Sequence, residues 1–393
     1  MRPLEGITVV TLEHAIAAPF ATRQLADLGA RVIKIERPGV GDFARGYDER
    51  VRGMASHFVW TNRSKESLTL DVKHPEAQLI LRRLIMEQAD VVVQNLAPGA
   101  AARLGLSYAA LSEAKPGLIV CDISGYGSDG PYRDKKAYDL LIQSEAGFVS
   151  VTGSPDEPAK AGPSIADISA GMYAYTNILA ALLQRGRTGR GQHIDISMLE
   201  SLVEWTSYPL YYAFDGAAPP PRTGASHATI YPYGPFPAGD GKTVMLGLQN
   251  EREWALFCSK VLLTPELAAD PRFASNSKRS AARAELRALI VAAFAPLTAA
   301  EVVARLDEAQ IANANVNTMS EVWTHPQLAA RGRWTEVASP VGNIPALLPP
   351  GSWEQQKPRM DAVPALGQHT DAILAELGYG APRIAQLRTE QAI

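Results

Sequence analysis

Residues 163–171, P-S-I-A-D-I-S-A-G, set one carboxylate, Asp167, among small and apolar neighbours at the start of an apolar stretch of helical length. An acid in that place has two uses. As structure it caps the helix, either alone as the N-cap residue or as the last member of an S-x-x-D box begun by Ser164. As chemistry it is a carboxylate that the positive end of the helix dipole favours in its ionised form, available for covalent catalysis. The local sequence leaves both open.

The elements that must position Asp167 alternate along the chain. Residues 7–13 read as a buried strand, 18–30 as a helix ending near a glycine, and 31–39 as a second strand, which makes a βαβ unit. Residues 75–89 then read as a helix, 90–99 as a strand and turn, and 117–127 as a further strand. Such alternation predicts an α/β fold, a Rossmann-like large domain with a parallel sheet and helices on both faces. The stretch 168–185 has helical length and apolar residues on all sides, so the helix carrying Asp167 is expected to be largely buried.

Farther on, 188–199 gives a glycine-rich turn and a short strand, and the Pro-rich run 215–224 reads as a linker. Residues 242–249 read as a strand, and 284–309 as two helices divided at Pro296, together a smaller α+β domain. A second Pro-rich stretch, 338–358, leads to a terminal helix. The expected division is a large domain of residues 1–200 completed by 330–393, a small domain of 225–325, and linkers at 201–224 and 326–358.

Several function classes are disfavoured. A formal net charge of −3 over 393 residues gives no electrostatic case for nucleic acid or an anionic membrane as the main partner. The N-terminus lacks an apolar segment followed by a small-residue cleavage site, and no run approaches the ~18 apolar residues of a membrane span. Two cysteines, Cys121 and Cys258, make no disulfide framework, and neither has a Cys or His at metal-ligand spacing. The expectation is a cytoplasmic protein without a metal. Glu36 ends the second strand, where a dinucleotide fold places its ribose-binding acid. The first turn, E-H-A-I-A-A-P-F (13–20), has none of the glycines that let a backbone approach a pyrophosphate, which argues against NAD.

Ten further segments carry a resemblance: V-I-K-I-E-R-P-G-V-G-D (32–42), 62–76, 89–106, I-S-G-Y-G-S-D-G-P-Y (123–132), A-Y-D-L-L-I-Q-S-E-A-G (137–147), I-A-D-I-S-A-G-M-Y-A (165–174), 188–201, D-P-R-F (270–273), 325–332 and 366–374. Their set and order resemble the family III (CaiB/BaiF-type) coenzyme A transferases along nearly the whole chain. In that family the acid of A-D-x-x-x-G is the nucleophile, a position held here by Asp167. The resemblance implies exchange of one thioester for another through an aspartyl anhydride and an aspartyl-CoA thioester. Coenzyme A is then a substrate, and neither ATP nor a metal is required. For coenzyme A binding it implies His14, Ile16 and Ala17 after the first strand, then Arg37, then Leu70, Asp71, Val72 and Lys73, then Asn95 and Leu96, with Arg103 and Lys136. The family's glycine-rich lid has only Gly247 in the matching stretch 246–253.

Residues 222–242 resemble the branch acting on C4 and C5 dicarboxylates with succinyl-CoA as donor. The resemblance favours itaconate as acceptor, with Arg222, His227, Tyr231 and Tyr233 holding a distal carboxylate. The alternatives are intramolecular mesaconyl-CoA transfer and transfer to malate or citramalate. The related α-methylacyl-CoA racemases use a His where this chain has Tyr138, which removes one general base and argues against racemisation. An inactive CoA-binding protein is the reading from another class; Asp167, Arg37 and Lys136 at their expected places speak against it. The resemblance also implies an interlocked homodimer whose active site joins one chain's large domain to the other's small domain.

Overall fold

The structure is a computed structural model that describes residues 1–351 and 354–393. Its chain divides into a larger unit (1–148, 161–207 and 328–393) and a smaller one (149–160 and 208–327).

The larger unit is built on six strands: β1 (Thr8–Leu12), β2 (Arg31–Glu36), β3 (Lys65–Thr69), β4 (Val91–Gln94), β5 (Ile119–Ser124) and β6 (His193–Ser197). They form one sheet in the order β3-β2-β1-β4-β5-β6, with every neighbouring pair parallel. Strands such as V-V-V-Q are apolar in near-continuous runs because both faces are covered. On one face Val10, Ile33, Leu68 and Val92 meet Ile80 and Leu84 of the helix Pro75–Gln88, and Ile373, Leu374, Leu387 and Ile393 of the C-terminal tail. On the other face Val9, Val32, Val91 and Val93 meet two helices. One, Ala17–Asp27, is called here the first helix; the other, Ile165–Thr188, is the long helix.

Strand order reverses between β1 and β4, so the connections leaving their carboxyl ends diverge and open a crevice there. In open parallel sheets this is where ligands bind.

Two stretches read as linkers are structured. Residues 201–224 include the end of the helix Met198–Trp205 and the helix Ser207–Tyr212, and from 208 onward they belong to the smaller unit. The 326–358 stretch, of which 352 and 353 lie outside the described residues, carries an antiparallel hairpin of Trp334–Val337 and Ile344–Leu347. Val337 and Ile344 of that hairpin are buried with Ala44, Ala55, Phe58 and Val363. Pro345 does not prevent the hairpin, because proline is tolerated on an edge strand where no partner needs its missing N–H.

In the smaller unit β7 (Tyr233–Pro237), β8 (Thr243–Gly247) and β9 (Ala312–Asn315) form an antiparallel sheet. It is covered by helices Arg283–Phe294 and Ala299–Glu308, which break at Pro296 as expected. Strands β10 (Trp334–Val337) and β11 (Ile344–Leu347) pair antiparallel in the larger unit. Among the described residues no single helix is long and apolar enough to cross a membrane.

Candidate active site

The long helix begins at Ile165, and its N-cap residue, Ser164, makes no side-chain capping bond. Asp167, at the third helical position, does not cap either. The orphan N–H groups of Ala166 and Asp167 instead donate to Oδ1 of Asp139, at 2.8 and 3.3 Å. Asp139 sits on the separate helix Asp139–Glu145 and is steadied by Gln143, whose Nε2 lies 2.6 Å from its Oδ2. Both capping roles suggested by the sequence are thus corrected: a carboxylate from another element does that work, which leaves Asp167 free.

Burial, and then the like charge of Asp139, push the Asp167 carboxyl up to about 7, with the neighbouring Ala17 N–H pulling the other way. A carboxylate of that basicity is a stronger nucleophile than an ordinary one and is still substantially ionised near neutral pH. Asp139 was missed because A-Y-D-L-L-I-Q was read only for Tyr138; the acid beside that tyrosine was the available signal. Tyr47 was missed too. Its phenol is pushed up by burial and by the nearby carboxylates of Asp42 and Asp167.

Ala17 reaches Asp167 because the first and long helices approach closely at Gly171. A Cβ there would lie 2.7 Å from the Ala17 carbonyl oxygen and 3.0 Å from the Phe20 ring. The glycine of A-D-x-x-x-G therefore has a steric reason: one turn after the acid, it admits the backbone that carries the donor.

The residues assigned to coenzyme A follow the carboxyl ends of five adjacent strands: His14, Ile16 and Ala17 after β1, Arg37 after β2, Leu70 to Lys73 after β3, Asn95, Leu96 and Arg103 after β4, and Lys136 after β5. The two sides of the crevice are joined by Asn95, whose Oδ1 accepts from His14 N at 2.9 Å and whose Nδ2 donates to His14 O at 2.9 Å. Arg37, Lys73, Arg103 and Lys136 are exposed, and among the described residues no ion pair engages them. Four unpaired cations rim one end of a sheet, a setting suited to phosphates. Ile16, Ala17 and Leu70 are buried, so they offer a ligand their backbone only. Leu96 N donates to Gln94 Oε1 at 2.7 Å, and Asp71 Oδ1 accepts from Lys73 N at 3.1 Å. The carbonyl of Val72 takes the Gln78 amide at 2.9 Å.

The four residues assigned to the distal carboxylate lie in the smaller unit and part company. His227 and Tyr233 stack, with centroids 5.2 Å apart, and line a pocket with Gly224, Ser226 and Met245. His227 Nδ1 accepts from Ile230 N at 3.0 Å and Thr229 N at 3.2 Å, so the neutral ring carries its proton on Nε2 as a donor. Arg222 is placed otherwise: its guanidinium spans the carbonyls of Ser154 (3.0 Å), Pro155 (2.9 Å) and Ser150 (3.3 Å), where it clamps a loop. Tyr231 is only 2% exposed and lies in the core, with Arg283 4.7 Å above its ring. The two departures have separate causes: loop carbonyls draw in the Arg222 guanidinium, and the apolar core takes up the Tyr231 ring.

Residues 4–370 match the family described as CoA-transferase family III. The chain is 36% identical to the succinate–glutarate CoA-transferase of Agrobacterium fabrum over 95% of this chain and 96% of that one. It is 33% identical to the succinyl-CoA–D-citramalate CoA-transferase of Chloroflexus aurantiacus, over 100% and 98%. The crystal structure of a CaiB/BaiF family protein from Brucella suis superposes with a TM-score of 0.84 at 36% identity, covering 96% of this chain and 99% of that one.

Proposed function

The chain belongs to CoA-transferase family III, and from that premise we propose that it moves CoA from succinyl-CoA to a five-carbon dicarboxylate, with Asp167 as the nucleophile. The observation that carries the reading is the carboxylate of Asp167, held basic by burial and by Asp139 beside the backbone N–H of Ala17.

The steps balance without an external reagent. An Asp167 oxygen attacks the thioester carbon and the C–S bond breaks, giving a mixed anhydride and CoA thiolate. The thiolate attacks the aspartyl carbon and expels the donor as its carboxylate, which leaves an aspartyl-CoA thioester. The acceptor carboxylate then attacks that carbon and releases the thiolate. Thiolate attack on the acceptor's acyl carbon finally frees Asp167. In the second and third steps negative charge develops on the aspartyl oxygen, which the neighbouring Ala17 N–H is placed to stabilise.

Coenzyme A is held as substrate by the cationic rim and the crevice. Arg37, Lys73, Arg103 and Lys136 take its phosphates, and the backbone of the 14–17, 70–73 and 95–96 turns takes its remaining polar groups. For the acceptor, the 222–242 resemblance favours itaconate, while the relatives named above act on glutarate and citramalate. All three are five-carbon diacids. Within 222–242, His227 and Tyr233 support the distal-carboxylate role, and Arg222 and Tyr231 are withdrawn from it. A homodimer is part of the proposal. The run 208–214 leaves Tyr208, Leu210, Tyr211 and Phe214 between 56% and 76% exposed, an apolar surface that a second copy would cover.

The test is mass spectrometry of new thioesters from succinyl-CoA offered itaconate, glutarate, mesaconate, citramalate, malate or oxalate in turn. Fastest product from a five-carbon diacid supports the reading. No new thioester from any of them, with mesaconyl-CoA interconverting between its C1 and C4 forms, replaces it with intramolecular transfer.

A further inference from the structure

Ala15 has φ +61°, the left-handed region that a residue with a Cβ seldom enters. It lies in the turn that carries β1 into the first helix, two residues before the N–H that meets Asp167. Something must hold it there, and the structure shows what does. The Ala15 N–H donates to Oδ1 of Asp42 at 3.0 Å, and the same oxygen accepts from Ala44 N at 2.9 Å. Oδ2 of Asp42 is fixed by Lys34 Nζ at 2.6 Å.

This carboxylate ends a wholly buried network. Lys34 also reaches Glu13 Oε1 at 3.3 Å, and that oxygen accepts from Lys65 Nζ at 2.6 Å. Glu13 Oε2 accepts from Thr22 of the first helix at 2.6 Å and from Thr11 of β1 at 2.9 Å. Lys65 Nζ donates in addition to the Pro19 carbonyl, 3.0 Å away in the first turn of that helix. Three strands and the helix that bears the donor are tied together beneath the crevice, yet none of these charges faces substrate. Buried ion pairs seldom add net stability, so a network this complete calls for a role in fixing one geometry.

We propose that Asp42 is a positioning residue for acyl transfer: by holding Ala15 in the left-handed conformation it sets the 14–17 turn so that the Ala17 N–H meets Asp167. This rests on the reading of Asp167 as the nucleophile. Asn95 grips the same turn from the β4 side through His14, so the turn is held at two successive residues by side chains from opposite sides of the crevice. His14 itself stacks on Phe43, the residue after Asp42, with ring centroids 4.5 Å apart.

The experiment is single-turnover formation of the aspartyl-CoA adduct from succinyl-CoA alone, followed by intact mass, with steady-state kcat and KM and thermal melts in parallel. Asp42→Ala should slow adduct formation about 100-fold while KM for succinyl-CoA stays within about threefold. Adding Ala15→Gly should recover about tenfold of that loss, because glycine takes the left-handed conformation without the anchor. A role confined to fold stability predicts no such rescue. Folded double variant with no recovery overturns the proposal.

Asp42→Ala removes the closer of two carboxylates that neutralise the buried Lys34 and so risks the fold, whereas Ala15→Val provides an independent arm that leaves every buried charge paired. Its β-branched side chain opposes the left-handed turn, and adduct formation should fall at least about 30-fold with little change in the melt. Wild-type rates in Ala15→Val overturn the proposal whatever Asp42→Ala does. If instead Asp167→Asn forms the adduct as fast as the wild type, the nucleophile assignment fails, and this inference falls with it.

Discussion

Asp139 Oδ1 lies 2.8 Å from Ala166 N and 3.3 Å from Asp167 N, so the carboxylate that caps the long helix also acts as a like charge on Asp167, the proposed nucleophile. One residue orders the helix start and raises the basicity of the acid that helix carries.

A pH dependence follows. Asp167 must be ionised to attack, and burial with Asp139 sets its carboxyl at about 7. In the wild type, kcat/KM for succinyl-CoA should rise with pH and level off above that value. Asp139→Asn keeps an oxygen to accept from Ala166 and Asp167 but removes the charge, so the midpoint should move down by about one unit. At pH 8 the less basic nucleophile should turn over a few-fold more slowly. Profiles from pH 5 to 9 decide the matter; an unmoved midpoint would detach Asp139 from the nucleophile.

Asp167→Asn should abolish transfer and at the same time stabilise the protein above neutral pH. The sign follows from linkage. The folded-state carboxyl sits near 7 and the unfolded one near 3.8, so between those values the folded chain binds more protons and its stability falls as pH rises. The asparagine variant is free of that loss. Its melting temperature should exceed the wild type's by about 2–4 °C at pH 8 and match it near pH 4, with binding of succinyl-CoA retained. Equal melting temperatures at both pH values would mean that Asp167 is not held against its charged form.

Gly171→Ala should be costly out of proportion to one methyl group. The added Cβ meets a backbone oxygen at 2.7 Å, which cannot swing aside as a side chain can, so the first helix must shift from the long helix. We expect stability to fall by about 1–3 kcal/mol and kcat by at least about tenfold, as the Ala17 donor moves off Asp167. Urea melts and steady-state kinetics measure both; a variant that loses stability but keeps kcat would show that this close approach serves packing alone.

Much of the fold is legible in the sequence itself. The alternation of V-V-T-L, V-I-K-I and V-V-V-Q with helical stretches gave the parallel sheet, because both covered faces demand apolar residues. The motif around Asp167 pointed, through resemblance, to the acid proposed as the nucleophile. What stayed hidden was relational. Nothing local marks Asp139 as the cap of a helix that starts 26 residues later, at Ile165. Nothing marks Ala15 as left-handed, since its partner Asp42 stands 27 residues later, in the connection after β2. Arg222 looked like a carboxylate ligand because sequence gives a side chain's charge and not its partners, here three loop carbonyls.

The cationic rim separates binding from chemistry. Arg37, Lys73, Arg103 and Lys136 are exposed and follow the ends of β2 to β5, whereas Asp167 lies on the long helix against the sheet's covered face. Charges that meet the nucleotide portion of the substrate should help its thioester and its transition state equally, and such uniform binding changes KM alone. Replacing Arg103 or Lys136 by Ala should raise KM for succinyl-CoA by about 3–10-fold each, leave kcat within about twofold, and flatten the dependence of KM on salt. Succinyl-pantetheine, which lacks the nucleotide, is the control: its kcat/KM should be the same in wild type and variants. Equal losses with both donors would place these cations near the reacting thioester instead of on the phosphates.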